Sequence, residues 1–179
     1  MKKTLVILAH DDMENSVLNS RFKKDLENEE NIIYKDLNSI YPTYQVDVEK
    51  EQDELASVSK IVFQFPLYWY SLPSALKNWM DKVFSYGFSY IVDDKGEFVP
   101  LALKDKEFQV IATMGAREES YIGEDRLNVK ECLNSCFYTT KMLGMKELKP
   151  MFFYGAAYGK ISEETLDEYS NIIKKELLG

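Results

Sequence analysis

Short apolar runs of strand length alternate along the chain with longer segments whose apolar residues recur at helical spacing. Leu5-Val6-Ile7-Leu8-Ala9 is almost continuously apolar, as a parallel strand covered on both faces requires. It runs into His10-Asp11-Asp12 with no small-residue cleavage site, so it reads as a first strand and not as a leader. The pattern then predicts a helix over 16–27 with Val17, Phe22 and Leu26 inward, a strand over 31–37, and an acidic, mostly exposed helix over 46–58. A third strand over 60–65 is ended by Pro66. The helix over 73–85 carries Leu76, Trp79, Met80, Val83 and Phe84, with Pro73 in its first turn. Residues 90–99 read as a hairpin turning through Asp93-Asp94-Lys95-Gly96, where glycine supplies positive φ. A fourth strand over 108–113, a helix over 128–143 stopped at Gly144, a fifth strand over 148–154 and a closing helix over 161–178 complete the series. Ser162, Glu163 and Glu164 suit the start of that last helix, and Lys174 and Lys175 its end. Five strands alternating with helices imply a doubly wound parallel α/β sheet, because parallel neighbours need crossover connections.

Composition narrows the reading. A chain of 179 residues without repeat, low-complexity tract or linker fits one domain over 1–179. A net charge of −8 argues against a protein that tracks nucleic-acid phosphates. No apolar run reaches transmembrane length, which makes the cytoplasm the expected location. Cys132 and Cys136 sit four apart on a predicted helix with no histidine nearby, and read as small apolar residues at a core; no metal site is expected.

In doubly wound sheets ligands bind beyond the carboxyl ends of the strands. Three loops leave strand ends there. The first, from His10 to Asn19, leads into a helix whose free N–H groups attract a phosphate, with Ser16, Asn19 and His10 as further donors. It has no P-loop and no GxGxxG pattern, so Ser16 also reads as a plain N-cap. Asp11, Asp12 and Glu14 would repel a phosphate and are expected to face solvent. The second loop, Pro66-Leu67-Tyr68-Trp69-Tyr70-Ser71-Leu72-Pro73, sets three successive aromatics between prolines directly after a buried strand. Such rings, with adjacent backbone amides, suit the apolar faces and polar edge of an isoalloxazine; they equally suit a partner interface. The third, Thr113-Met114-Gly115-Ala116, is small enough for close backbone approach and is followed by Tyr121.

Leu8-Ala9-His10 with Ser16 and Asn19, Gln64-Phe65-Pro66-Leu67-Tyr68-Trp69-Tyr70-Ser71-Leu72-Pro73, Leu76 to Phe84, and Gly87-Phe88-Ser89-Tyr90 together resemble the flavodoxin-2 family of NAD(P)H:quinone oxidoreductases. Within it the chain is most similar to the ancillary oxidoreductases of glutathione-gated potassium efflux systems. The resemblance spans nearly the whole chain. It implies a flavodoxin-like three-layer sandwich with strand order 2-1-3-4-5, and a homodimer with flavin at the interface. It also implies that His10, Ser16, Leu18 and Asn19 hold the flavin phosphate end, and that Pro66, Leu67, Tyr68, Trp69 and Tyr70 flank the isoalloxazine. Thr113, Met114, Gly115 and Ala116 would contact its pyrimidine side, with Tyr121 near the acceptor. The sequence departs from the family at Asp11, where proline is frequent, and at Met114 and Ala116, where the loop commonly reads Thr-Thr-Gly-Gly. His10 is the only histidine, so the proton relay that some members build on a histidine after Tyr121 has no counterpart.

The expected activity is ping-pong hydride transfer from NAD(P)H through FMN (FAD is the alternative) to quinone, azo or nitro acceptors, with Tyr121 and Tyr68 orienting the acceptor. Two other readings compete. One is a regulatory subunit docked on a membrane transporter; the other is a one-electron carrier, which the acidic charge suits and the Trp-Tyr block does not.

Overall fold

The structure is a computed structural model and describes residues 3–157 and 161–179. In chain order the elements are β1 (Thr4–Leu8), α1 (Leu18–Leu26), β2 (Ile32–Asp36), α2 (Leu37–Ile40), α3 (Val48–Ser57), β3 (Lys60–Pro66) and α4 (Ser74–Val83). Then come β4 (Tyr90–Val92), β5 (Phe98–Pro100), β6 (Glu107–Thr113), α5 (Val129–Cys132), α6 (Asn134–Met142), β7 (Lys146–Glu147), β8 (Met151–Phe153) and α7 (Glu163–Leu178). The main sheet is parallel with order β2-β1-β3-β6, and the place beyond β6 is shared by β7 and β8. This is the expected order 2-1-3-4-5, with its fifth strand in two pieces. Pro150, which has no N–H to give a ladder, lies between them.

Strand alternation sends Leu5, Ile7, Ile61, Phe63, Phe108 and Val110 to a core shared with α3, α4 and α6. Val6, Val62 and Ile111 point the other way, onto Phe22, Leu18 and Leu26 of α1 and Leu166 and Ile173 of α7. The registers are level: Thr4 pairs with Ile32 and Lys60, and Lys60 with Glu107. The carboxyl ends at Leu8, Pro66 and Thr113 therefore reach one edge together, which gathers the three predicted loops. The 90–99 hairpin forms as antiparallel β4 and β5, turned at Gly96 with φ 80°.

Several details depart from expectation. The helix over 16–27 begins at Leu18, and Ser16 is not its cap; Val17 holds the cap position with no side-chain bond. The helix over 128–143 breaks at Leu133, where φ −102° and ψ 10° turn that side chain into the core. Cys132 and Cys136 thus lie on either side of the break, both as free thiols, and burial pushes Cys136 up to about 12. The helix over 46–58 is acidic but not uniformly exposed. Glu51 of α3 is fully buried, accepts from the Lys35 ammonium, from Tyr41 Oη at 2.6 Å and from Trp79 Nε1 at 2.9 Å. Lys35 also reaches Glu54 at 2.6 Å. This carboxylate joins β2, α3 and the fully buried Trp79 of α4, the helix that carries the end of the aromatic loop.

Removing one partner of such a buried pair leaves a charge without compensation, at a cost of about 3–5 kcal/mol. Glu51→Gln is accordingly expected to destabilise the fold by about 3 kcal/mol in denaturant unfolding. A loss below about 1 kcal/mol, the range of exposed pairs, would contradict this account of the network.

Candidate functional site

Main-chain bonds stitch the loops into one surface. Ala9 N–H donates to Gln64 O at 3.0 Å and Leu67 N–H to Thr113 O at 2.8 Å. Beyond them, Met114 N–H reaches Phe153 O at 2.8 Å, and Ala156 and Ala157 N–H reach Met114 O and Gly115 O at 2.9 and 3.1 Å. Between these segments lies a cavity of about 190 Å3, lined by His10, Asn15, Ser16, Val17, Leu18, Asn19, Pro66, Tyr68, Thr113, Gly115, Ala156 and Ala157. Eight of these belong to the residues expected to hold a cofactor: His10, Ser16, Leu18, Asn19, Pro66, Tyr68, Thr113 and Gly115.

In the first loop the acidic side chains turn away. Asp11 accepts from Asn38 Nδ2 at 2.8 Å, and Asp12 accepts from Asn15 N and Nδ2 at 3.2 and 2.8 Å. Hydrogen bonds from the Asn15 side chain and amide hold the Asp12 carboxyl below its ordinary range. Asp11, Asp12 and Glu14 are all exposed. His10 is half-buried, and its Nδ1 accepts the Asp12 amide at 3.0 Å, so the neutral ring carries its proton on Nε2. Burial lowers its pKa below 6.5, against the opposing pull of Asp11, Asp12 and Asp36. The first N–H groups of α1 have no intrahelical acceptor and open on the same cavity. Asn19 is buried, and its carboxamide is engaged inside the protein: Nδ2 donates to Thr113 Oγ1 at 2.9 Å and Oδ1 accepts from Gln64 Nε2 at 3.1 Å. The side chain thus braces α1 against β3 and β6, with both its polar atoms already engaged within the protein.

The second loop is a tight turn in which Tyr68 and Ser71 exchange main-chain bonds at 3.2 and 3.0 Å. Its corners, Trp69 and Tyr70, both lie in the left-handed region, at φ 47° and 61°. For aromatic residues this costs on the order of 1 kcal/mol or more each, and such strain gathers at functional sites. The turn leaves Trp69 93% exposed and its amide, like that of Tyr70, without a partner among the described residues. Leu67 packs on the core instead of lining the cavity.

In the third loop Met114 is fully buried and both its main-chain groups are engaged, so it supports the cavity wall from behind and does not enter it. Gly115 approaches the next loop closely: a Cβ there would stand 3.1 Å from that of Ala157. Ala116 accepts from Gly155 N–H at 2.8 Å. Tyr121 sits apart from the cavity, edge-on to Tyr70 at 6.4 Å and beside Tyr154 at 5.8 Å. Burial raises the pKa of both Tyr68 and Tyr121. Tyr121 also borders a shallower depression of about 540 Å3 that extends to Glu131. Sequence reasoning missed the fourth loop, Gly155-Ala156-Ala157. Its signal was present: a run of small residues immediately after an apolar strand, like the third loop.

The architecture recurs in known proteins. Residues 2–177 match the flavodoxin-like fold family, Flavodoxin_2. The uncharacterized NAD(P)H oxidoreductase YrkL of Bacillus subtilis is 37% identical over 158 residues, covering 87% of each chain. The glutathione-regulated potassium-efflux system ancillary protein KefG of Yersinia pestis is 32% identical over 170 residues, covering 94% of this chain and 89% of its own. Among solved structures, the general stress protein 14 of Treponema denticola in complex with FMN superposes with a TM-score of 0.81 at 28% identity, covering 98% of this chain and 96% of its own. With nearly its full length matched, the chain belongs to the flavodoxin-like fold family.

Proposed function

We propose that this protein is a flavin-dependent NAD(P)H oxidoreductase that reduces quinones or related azo and nitro compounds, working as a cytoplasmic homodimer. The observation that carries the reading is the convergence of unengaged donors and exposed aromatics on one strand edge. The α1 amides, the His10 Nε2–H, Thr113 and Gly115 meet at the cavity, and the amides of Trp69 and Tyr70 in the adjoining turn are left free of partners among the described residues. The likeness to a protein in complex with FMN and to a named NAD(P)H oxidoreductase supports it.

These residues fit FMN. The first amides of α1 and the His10 Nε2–H, which have no protein acceptor among the described residues, would hold its phosphate together with the Ser16 hydroxyl. Pro66, Tyr68, Trp69 and Tyr70 would flank the ring system, and the amides of Trp69 and Tyr70 would support negative charge at its polar edge. Thr113, Gly115 and Ala116 would line the pyrimidine side, where the absence of bulk permits close approach. Bound flavin would supply the two-electron redox chemistry between NAD(P)H and the acceptor, which the same pocket would take in turn. The protein's part is to position and to exclude water. Tyr68 and Tyr121 stand at either end of the aromatic face and would orient the acceptor. The exposure of Trp69 suits burial against a second copy of the chain, since an aromatic side chain so open gains from an interface. The likeness to KefG favours a second role, docking on a transporter's cytosolic part.

Fluorescence quenching on titration with FMN, FAD and riboflavin tests the cofactor assignment. FMN is expected to bind at least about tenfold more tightly than riboflavin, the worth of one charge-assisted contact; equal binding would remove the phosphate from the site. Tyr68→Ala and Tyr121→Phe are each expected to lower kcat/KM for a quinone, by about tenfold and about threefold, the latter without loss of bound flavin. Unchanged acceptor kinetics in both variants would defeat the orienting role.

The pH dependence has a definite sign. The imidazole pKa lies below 6.5 in the folded protein, so the unfolded chain takes up this proton first. The His10 contribution is therefore free of penalty above pH 6.5 and lowers stability progressively as the pH falls below it. Because His10 is the only histidine, its ring resonances in an NMR titration read this directly. A midpoint below 6.5 is expected in the flavin-free protein, rising when phosphate binds; a flavin-free midpoint above 6.5 would contradict the burial argument.

A further inference from the structure

A buried hydrogen-bond chain runs beneath the cavity from β2 to β6. Tyr34 Oη lies 2.8 Å from Gln64 Oε1, and Gln64 Nε2 lies 3.1 Å from Asn19 Oδ1 and 3.4 Å from the Asn19 main-chain oxygen. Asn19 Nδ2 completes it at 2.9 Å from Thr113 Oγ1. Gln64 and Asn19 are essentially inaccessible to water, so no solvent molecule can reverse a link.

We infer that Gln64 is a positioning residue whose fixed orientation commits the Thr113 hydroxyl to donate its proton into the cavity. The main-chain carbonyl of Asn19 decides the direction. A carbonyl can only accept, so the face of Gln64 turned toward it is the NH2 group, and Oε1 is left to accept from Tyr34. The same NH2 meets the Asn19 side chain, which therefore presents its oxygen to Gln64 and its own NH2 to Thr113. Thr113 Oγ1 thus accepts from within the protein, and its proton has no acceptor among the described residues. Thr113 is nearly buried and lines the cavity. A buried donor without a partner is unfavourable, so a ligand atom bearing a lone pair at this point gains a hydrogen bond, and a ligand donor there is rejected. Reversal of any link would place two donors or two acceptors face to face, so the chain behaves as one unit.

The identity of the ligand rests on the flavin reading above; the direction of the chain does not. Two measurements keep them apart. In the flavin-free protein, NMR is expected to show nuclear Overhauser contacts from the Asn19 Nδ2 protons to the Thr113 methyl group. Contacts from those protons to Gln64 instead would overturn the proposal, whatever binds. In flavin titrations, Thr113→Val keeps the shape but removes the donor, and is expected to weaken FMN binding about tenfold, with Thr113→Ser restoring most of it. Gln64→Met removes the group that sets the direction. It is expected to weaken FMN binding about two- to fivefold, and to add little in combination with Thr113→Val, because both act through one proton. Full additivity, or wild-type binding by Thr113→Val, would overturn the proposal. If Gln64→Met does not fold, the Overhauser contacts and the Thr113 pair decide the matter. Failure of the wild-type protein to bind FMN would defeat the flavin reading alone, since the contacts in the flavin-free protein still judge the direction.

Discussion

The level ending of β1, β3 and β6 is the constraint on which the site depends. Parallel ladders in which Leu8 faces Gln64 and Pro66 faces Thr113 bring three chain segments, each over forty residues apart, to one edge. A slip of one residue in any ladder would turn that strand's side chains to the opposite face and displace its loop. Two buried, mostly apolar faces on each strand make such a slip costly. The same burial that stabilises the sheet therefore sets the positions of His10, Tyr68 and Thr113.

Several polar groups placed within this apolar frame are matched to partners, and the matching transmits position from core to edge. Glu51 ties Trp79, and through it the start of α4, to the strand layer. Asn19 and Gln64 tie α1 to β3 and β6 below the cavity floor. At the edge, the α1 amides, the corner amides of the Trp69-Tyr70 turn and the Thr113 proton have no partner among the described residues. The strained turn fits this division, because two left-handed aromatics persist only where their surroundings hold them.

Much of this was legible in the sequence. The largely apolar runs at 5–9, 60–65 and 108–113 marked the parallel strands, and their ends marked the loops that line the cavity. The gaps have physical causes. The break at Leu133 carries no glycine or proline, since it arises from tertiary packing that local propensity does not register. Glu51 looked like one more solvated acid because its partners, Lys35, Tyr41 and Trp79, come from three other elements. Asn19 showed its residue type but not its direction: the sequence offered a donor, and folding had already engaged it. The backbone of Trp69 and Tyr70 could not be read from residues that ordinarily avoid positive φ. Met114 departed from the family pattern in the sequence, yet in the fold it faces the core and leaves the cavity wall to Gly115.

The central claim is that this strand edge holds flavin and serves as its redox site. The visible absorbance spectrum of the purified protein, reconstituted with FMN and freed of excess cofactor, tests it most directly when repeated anaerobically with NADPH. Protein-bound flavin bands that bleach on addition and return with a quinone are the expected result. A colourless protein that neither retains FMN nor oxidises NADPH would contradict the account.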